Sequence, residues 1–368
     1  MTPGERTTLA GCQQPLAKAY DVALLDLDGV VYVGSHAVPA APEALASARE
    51  LGMRLVFVTN NAARPPTVVA QHLTELGIAA GAQEVVTSAQ TAAHYLADRL
   101  PPGAKVLVVG TTGLNEALRE RGLHPVHRAE NDVAAVVQGY SPDLSWQQLA
   151  EGAVAIGRGL TWVATNVDPT VPSPRGPLPG NGSLVAALRC ATGAEPIVTG
   201  KPDPTMHRES VQRSAAVNPI VVGDRLDTDI EGANAVGCAS LLVFTGVTAP
   251  ADLLAAAAKL RPTYIAPDLA GLLRPHLAAS ISDGEVRCGA WTVRMSSNGS
   301  LVLGSSVPSA TTQSTGDDLD ALRALCTAAW RIVGPTRGPQ ITAADPASRA
   351  EIDRLRIGAV GRSGRSLS

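Results

Sequence analysis

The sequence predicts an α/β protein: a doubly wound, Rossmann-like parallel-sheet core, an α/β domain inserted into it, and an extra C-terminal α+β module. Three observations carry that expectation. Apolar runs such as "DVALLDLDGVVYV" and "RLVFVT" are continuous rather than alternating, as strands covered on both faces are. Segments of helix length separate them, which is the order of a parallel sheet wrapped by helices. The chain has 368 residues, enough for two or three domains.

Taken in order, residues 21–33 are expected to form the first buried strand. A helix follows over "APEALASARELG", closed by Gly52 at its C-terminal end. Then come the strand "RLVFVT", the polar turn "NNAARPP", the helix "TVVAQHLTELG" and another helix over 89–100, which Pro101 and Pro102 stop. Residues 1–100 are thus the first part of the core. A second α/β series fills 101–193: strand "AKVLVVG", helix "LNEALRERG", strand "AAVVQGY", helix "SWQQLAEGAVAIGRG" and strand "TWVATN". It runs into the loop "DPTVPSPRGPLPGNG" and the helix "SLVAALRCATG". Over 194–280 the first pattern resumes with "PIVTGKPDP", "NPIVVGD" and "CASLLVFTG", as an insertion inside one core requires. In 281–368 the texture changes to a hairpin around Asn298-Gly299, a Ser/Thr-rich connector, a helix over 317–333 and a loose end, "GRSGRSLS".

Composition narrows the function classes. The chain is 45% hydrophobic and 17% charged, too apolar for disorder. A net charge of -3 points to neither nucleic acid nor a membrane surface as partner. No stretch has the roughly 18–20 apolar residues of a membrane span. Although "LAGC" looks like a lipidation box, the polar "MTPGERTT" before it lacks the apolar region such a signal needs. Five scattered cysteines without a C-x-x-C pair argue against a zinc site or a disulfide framework and fit a cytoplasmic location.

In open parallel sheets, ligands bind beyond the carboxyl ends of the strands. The sequence gathers polar residues at such points four times: Asp26 and Asp28; Thr59, Asn60 and Asn61; Lys201; and Asp224, Asp227 and Asp229. Each group has an ordinary reading. A lone D-x-D-G is usually a turn, "TNNA" caps a helix as readily as it binds anything, and a single lysine is usually solvated. In this order and with both signs of charge, they describe one site. Ionised carboxylates packed together repel by several kcal/mol per pair at an effective dielectric of about 20, so a cation is called for. Oxygen ligands suit a hard ion, and few protein ligands plus phosphate suit Mg²⁺. Lys201 offers a compact positive charge to a phosphate, and the Thr-Asn-Asn turn offers neutral donors.

The segments "DLDGVVYVG", "VTNNA", "GKPDP" and "VGDRLDTDI" resemble the four motifs of the haloacid dehalogenase superfamily. They are most similar to its phosphatases with a large inserted α/β cap: the para-nitrophenylphosphatase, phosphoglycolate and glycerol-3-phosphate phosphatase group. The resemblance spans about residues 20–270 and includes the cap ending "ATNVDPTVPSPRGPLPGNGSLVAAL". It implies that 1–100 and 194–280 are a hydrolase core and that 101–193 is a specificity cap. It also implies that Asp26 is a nucleophile forming an aspartyl-phosphate and that Asp28 protonates the leaving alcohol and then activates water. By the same resemblance Mg²⁺ is held by Asp26, the Asp28 carbonyl and Asp224, with Asp229 standing behind these ligands. Thr59, Asn60, Asn61 and Lys201 then bind the phosphoryl group.

The implied substrate is a small-molecule phosphomonoester, with glycerol 3-phosphate ahead of phosphoglycolate, sugar phosphates or nucleotides. Asn166 and Asp168 on the cap loop are as readily scaffold as substrate contacts. Val171 occupies a place where some family members carry a His. A phospho-accepting signalling domain is the rival of another class, and Asp28 and the cap speak against it. The expected self-association, if any, is a homodimer. Residues 281–368 faintly resemble part of an acetyltransferase-like fold without its Q/R-x-x-G-x-G/A loop, so the expected role is packing or regulation. A chain ending near Ser280 is expected to keep its chemistry.

Overall fold

The computed structural model describes residues 7–171, 175–306, 317–331 and 339–357. The Ser/Thr-rich connector and the end "GRSGRSLS" lie outside them. Six parallel strands form the first sheet, in the order Tyr264–Ala266, Ala239–Val243, Pro219–Gly223, Val22–Leu25, Arg54–Thr59, Val85–Thr87. Five more build a second parallel sheet, in the order Ile197–Val198, Thr161–Ala164, Val133–Gln138, Lys105–Val109, His124–Val126. Their inner strands are buried on both faces, which explains the unbroken apolar runs. The short strands Val85–Thr87, His124–Val126 and Tyr264–Ala266 were not separately visible in the sequence, because three residues show no period.

The expected strand over 21–33 is wrong beyond its first residues. Val22–Leu25 is the strand, and it ends before Asp26. The Leu27 carbonyl then accepts from the N–H groups of Val30, Val31 and Tyr32, and Gly29 takes φ +86°, a left-handed conformation that favours glycine. The chain turns into a small antiparallel flap, Tyr32–Val33 against His36–Ala37. Val30 and Val31 are fully buried beneath it, so the apolar run continues although the strand does not.

A second correction concerns "PIVTGKPDP". Ile197–Val198 does not rejoin the first sheet; it pairs with Val163 and Ala164 at the edge of the second. No place is open for it beside Val22–Leu25, which has Pro219–Gly223 on one side and Arg54–Thr59 on the other.

The C-terminal module is larger than one hairpin. Its five-stranded sheet runs Ser280–Ser282, Glu285–Cys288, Trp291–Met295, Leu301–Ser305, Ile341–Ala343, antiparallel except for the last pair. Hairpins turn at Gly289 and at Asn298-Gly299, and the helix Pro346–Arg354 closes the module. The helix expected over 317–333 is Asp320–Ala329: Asp318 at φ +60° prevents an earlier start, and residues 332 and 333 lie outside the described residues. This helix does not pack on its own sheet alone. Leu322, Leu325 and Trp330 share one apolar cluster with Ile230, Leu242, Leu253 and Ile265 of the first domain. Burying each such side chain is worth about 1.5–3 kcal/mol. Arg323 reinforces the contact by donating to the Ile265 carbonyl (3.0 Å) while Asp317 and Asp320 neutralise its charge.

Candidate active site

The acids converge beyond the first sheet. Asp26 follows Val22–Leu25, with its N–H held by the Val222 carbonyl (2.9 Å), and Asp224 follows Pro219–Gly223. Asp229 sits in the π-helical turn Leu226–Ile230, directly over Gly223; a Cβ at Gly223 would lie 2.2 Å from that of Asp229, so glycine is required. One oxygen from each of Asp26, Asp224 and Asp229 lies within 4.8 Å of the others. Asp224 and Asp229 are buried. Burial raises the Asp26 pKa well above the usual carboxylate range; Lys201 opposes the shift, and the charges of Asp229 and Asp224 add to it. Burial, then Asp229, push Asp224 up to about 6, against the pull of the Val247 N–H.

Lys201 answers these acids. Although buried, its Nζ donates to Asp26 Oδ1 (2.5 Å), Asp229 Oδ1 (2.7 Å) and the Val58 carbonyl (3.3 Å). Burial alone would lower its pKa, but Asp229 and Asp26 outweigh burial and hold it far above the usual lysine value. The lysine is positioned by Asn60. Asn60 Oδ1 accepts the Lys201 backbone N–H (2.8 Å), and Nδ2 donates to the Lys201 carbonyl (3.0 Å) and to Asp168 Oδ2 (3.1 Å). Each of its amide's strong donors is therefore engaged by protein. The Asn60 carbonyl is held in turn by Ser88 Oγ (2.6 Å) and Asn166 Nδ2 (2.7 Å), and Asn181 Nδ2 donates to the Asn166 carbonyl (2.7 Å). Asn166 and Asp168, left open by the sequence, thus both reach the site. Ser88 and Asn181 were missed because nothing near them in the chain hints at a partner.

Thr59 is buried and its hydroxyl accepts the Asn61 N–H (3.1 Å), while Asn61 Oδ1 accepts the Ala63 N–H (2.8 Å); both side chains shape their own turn. Asp28 opens onto solvent, yet surrounding protein still raises its pKa, against the charges of Lys201, Arg64 and His72. Tyr32 stands beside it and packs edge-on against His72 at 5.1 Å. Asp227, grouped with the site acids in the sequence, is instead exposed and pairs with Arg225 (2.8 Å).

The donor set fits a divalent cation. Asp26, Asp224 and Asp229 face one ammonium, so that once ionised the three carboxylates leave an excess of two negative charges for a cation to balance. Asp229 is engaged through both oxygens, by Lys201 and by the Arg225 N–H (3.2 Å), and so stands behind the other two. Asp224 Oδ2 accepts the Val247 N–H (2.6 Å), whereas its Oδ1 is buried without a partner. An orphaned carboxylate oxygen aimed into an all-oxygen cluster is what a hard ion such as Mg²⁺ needs.

Comparison with known proteins identifies the family. Residues 23–124 match the haloacid dehalogenase-like hydrolase family, and 198–272 match the HAD-hydrolase-like family. A D-glycerol 3-phosphate phosphatase of Mycobacterium tuberculosis is 45% identical over 345 residues, 92% of this chain and 95% of that protein. The chain belongs to the haloacid dehalogenase-like hydrolases. An acid sugar phosphatase of Staphylococcus aureus is 35% identical to this hydrolase over 68% of the chain and 96% of its own length. Among solved structures, a glycerol phosphate phosphatase of M. tuberculosis in complex with magnesium superimposes with a TM-score of 0.84 at 44% identity, covering 93% of this hydrolase and 99% of that chain. A p-nitrophenyl phosphatase of Archaeoglobus fulgidus gives 0.64 at 30% identity, over 69% and 98%. Residues 288–356 match a GCN5-related N-acetyltransferase-like domain, in line with the faint likeness read from the sequence.

Proposed function

We propose that this hydrolase is a Mg²⁺-dependent phosphatase that cleaves glycerol 3-phosphate to glycerol and phosphate. The observation that carries the chemistry is the buried Lys201 bridging Asp26 and Asp229 beside the unpaired Asp224 Oδ1. Support for the substrate comes from the M. tuberculosis glycerol 3-phosphate phosphatase, which this chain matches over nearly its whole length, C-terminal module included.

In this reading Asp26 attacks phosphorus, the bond from phosphorus to the glycerol oxygen breaks, and an aspartyl-phosphate forms. Asp28 gives its proton to the departing oxygen; surrounding protein shifts its pKa upward, the direction a proton donor needs. The same carboxylate then takes a proton from water, which attacks phosphorus and breaks its bond to Asp26, releasing phosphate. Lys201 favours the ionised form of Asp26 against the effect of burial and gathers the phosphoryl oxygens. Asn60 acts at one remove, by holding the Lys201 backbone. When bound by Asp26, Asp224 and the Asp28 carbonyl, Mg²⁺ would supply the positive charge that offsets phosphate against the carboxylates.

Among the described residues no helix is long and apolar enough to cross a membrane. The described cysteines are all free, which supports a cytoplasmic setting. The test is steady-state kinetics with glycerol 3-phosphate, phosphoglycolate and a panel of sugar phosphates, with and without chelator. Glycerol 3-phosphate should give the highest kcat/KM, EDTA should silence the enzyme, and Mg²⁺ should restore it where Ca²⁺ does not. A higher kcat/KM for another phosphomonoester would reassign the substrate, and full turnover in excess chelator would remove the metal.

A further inference from the structure

We propose that the C-terminal module is a positioning element of the phosphatase site, acting through the turn Leu226–Ile230. This goes beyond the accessory role read from the sequence and rests on the phosphatase reading above. The turn has two faces. Asp229 points to the site and bonds Lys201 (2.7 Å). Ile230, the next residue, is fully buried in the apolar cluster that holds Leu322, Leu325 and Trp330 of the module, and Leu226 packs against the same cluster. A single backbone carbonyl, Arg225 O, anchors the turn by accepting both the Asp229 and the Ile230 N–H (3.2 Å each). Consecutive residues of so short a turn cannot move independently.

The coupling has a second, polar arm. Trp330 Nε1 donates to the Leu253 carbonyl (3.1 Å). Arg261 lies 5.0 Å over the Trp330 ring and donates to its carbonyl (3.4 Å). The Arg261 carbonyl receives Asn234 Nδ2 (3.1 Å), which also bonds the Lys259 carbonyl (2.8 Å). Asn234 belongs to the helix Glu231–Ala235, which continues directly from the turn. The module is therefore linked to the Asp229 segment twice, through the shared apolar cluster and through the Trp330–Arg261–Asn234 chain. On the opposite side Gly223 leaves no slack against Asp229, so a shift of the turn displaces the carboxylate that holds Lys201.

Full-length Leu325→Ala and Trp330→Phe test the inference against Ile352→Ala, a control at the far side of the same apolar cluster, on the helix Pro346–Arg354, which packs on the strands Leu301–Ser305 and Ile341–Ala343 rather than on the turn. Each is assayed with glycerol 3-phosphate at a temperature where circular dichroism shows it fully folded, and hydrogen exchange is followed over 224–232. The first two should lower kcat about tenfold with KM within about twofold, since small displacements of catalytic groups are costly. Their 224–232 amides should exchange roughly tenfold faster while 54–59 stay protected. Leu325→Met should restore both values, and Ile352→Ala should lower the melting temperature alone. Wild-type kcat per folded molecule in Leu325→Ala and Trp330→Phe, or unchanged exchange over 224–232, would overturn the coupling. Absence of turnover in the wild type would overturn the phosphatase reading instead, and the exchange comparison would still decide whether the module seats the turn.

Discussion

The two parallel sheets are alike in construction and opposite in what they bring to the site. At the ends of the six-stranded sheet stand the acids Asp26 and Asp224, with Asp229 one turn further. From the ends of the five-stranded sheet come the neutral amide Asn166, after Thr161–Ala164, and the cation Lys201, after Ile197–Val198. Neither half is complete alone. The first carries a surplus of negative charge, and the second carries the ammonium that allows it to be buried. Asn60, just past Arg54–Thr59 of the first sheet, joins them by bonding the backbone N–H and carbonyl of Lys201 and the carboxylate of Asp168. The comparison teaches that charge balance here is settled between sheets rather than within either one.

Breaking the acid half should have the largest effect. Asp26→Asn keeps the shape and removes the nucleophile, so turnover should fall by about 10⁴-fold or more, measured as phosphate release by folded protein. Wild-type-like rates would end the aspartyl-phosphate mechanism.

Removing the cation comes next. Lys201→Met should cut kcat by roughly 10³-fold and also destabilise, because Asp26 and Asp229 lose their buried partner; breaking such pairs costs about 3–5 kcal/mol. Urea denaturation reads the second effect. A stable Lys201→Met protein would mean that the acids carry protons in its place.

The segment bearing Lys201 should tolerate no second positive charge. His207, on the helix Pro204–Ser214, is buried with neither ring nitrogen hydrogen-bonded to the described residues. Burial first, then Lys201, lower its pKa to about 4. The unfolded chain, titrating near 6.5, therefore takes up the proton first as pH falls. The stabilisation is complete above pH 6.5 and disappears as pH drops toward 4, amounting to about 3 kcal/mol in total. Between pH 7 and pH 5, His207→Gln should be spared about 2 kcal/mol of the loss that wild type suffers in urea titrations. Identical losses would place the proton uptake elsewhere.

Loosening the joint should have intermediate consequences for activity. Asn60→Ala leaves every acid and Lys201 in the chain, yet should lower kcat about 10–100-fold, the range seen when outer partners of a site are removed. An unchanged kcat would show that Lys201 needs no support from its backbone. Smallest of all, Asp168→Asn keeps one acceptor for Asn60 Nδ2 and removes a charge beside it; it should alter KM a few-fold and leave kcat nearly as it was.

Much of the site was legible because its chemistry is local. Asp26 with Asp28, the Thr-Asn-Asn turn and the Gly-Asp of residues 223–224 each lie within a few residues, next to apolar runs whose continuity marks buried strands. Those features determined the doubly wound class, the insertion and the family. Others read wrongly for the same local reason. The run over 21–33 stays apolar through a turn, because burial under the flap demands hydrophobic residues as much as a strand does. The two residues Ile197–Val198 can join either sheet as far as their side chains tell, and only occupied neighbours decide. Tertiary structure alone settled that Asn60 serves Lys201, 141 residues away, and that Ile230 shares its burial with Leu325 and Trp330. A hydrogen-bond acceptor or an apolar surface is satisfied by any partner of the right kind. Which one it meets depends on how two sheets and a module close on each other, and no local pattern records that.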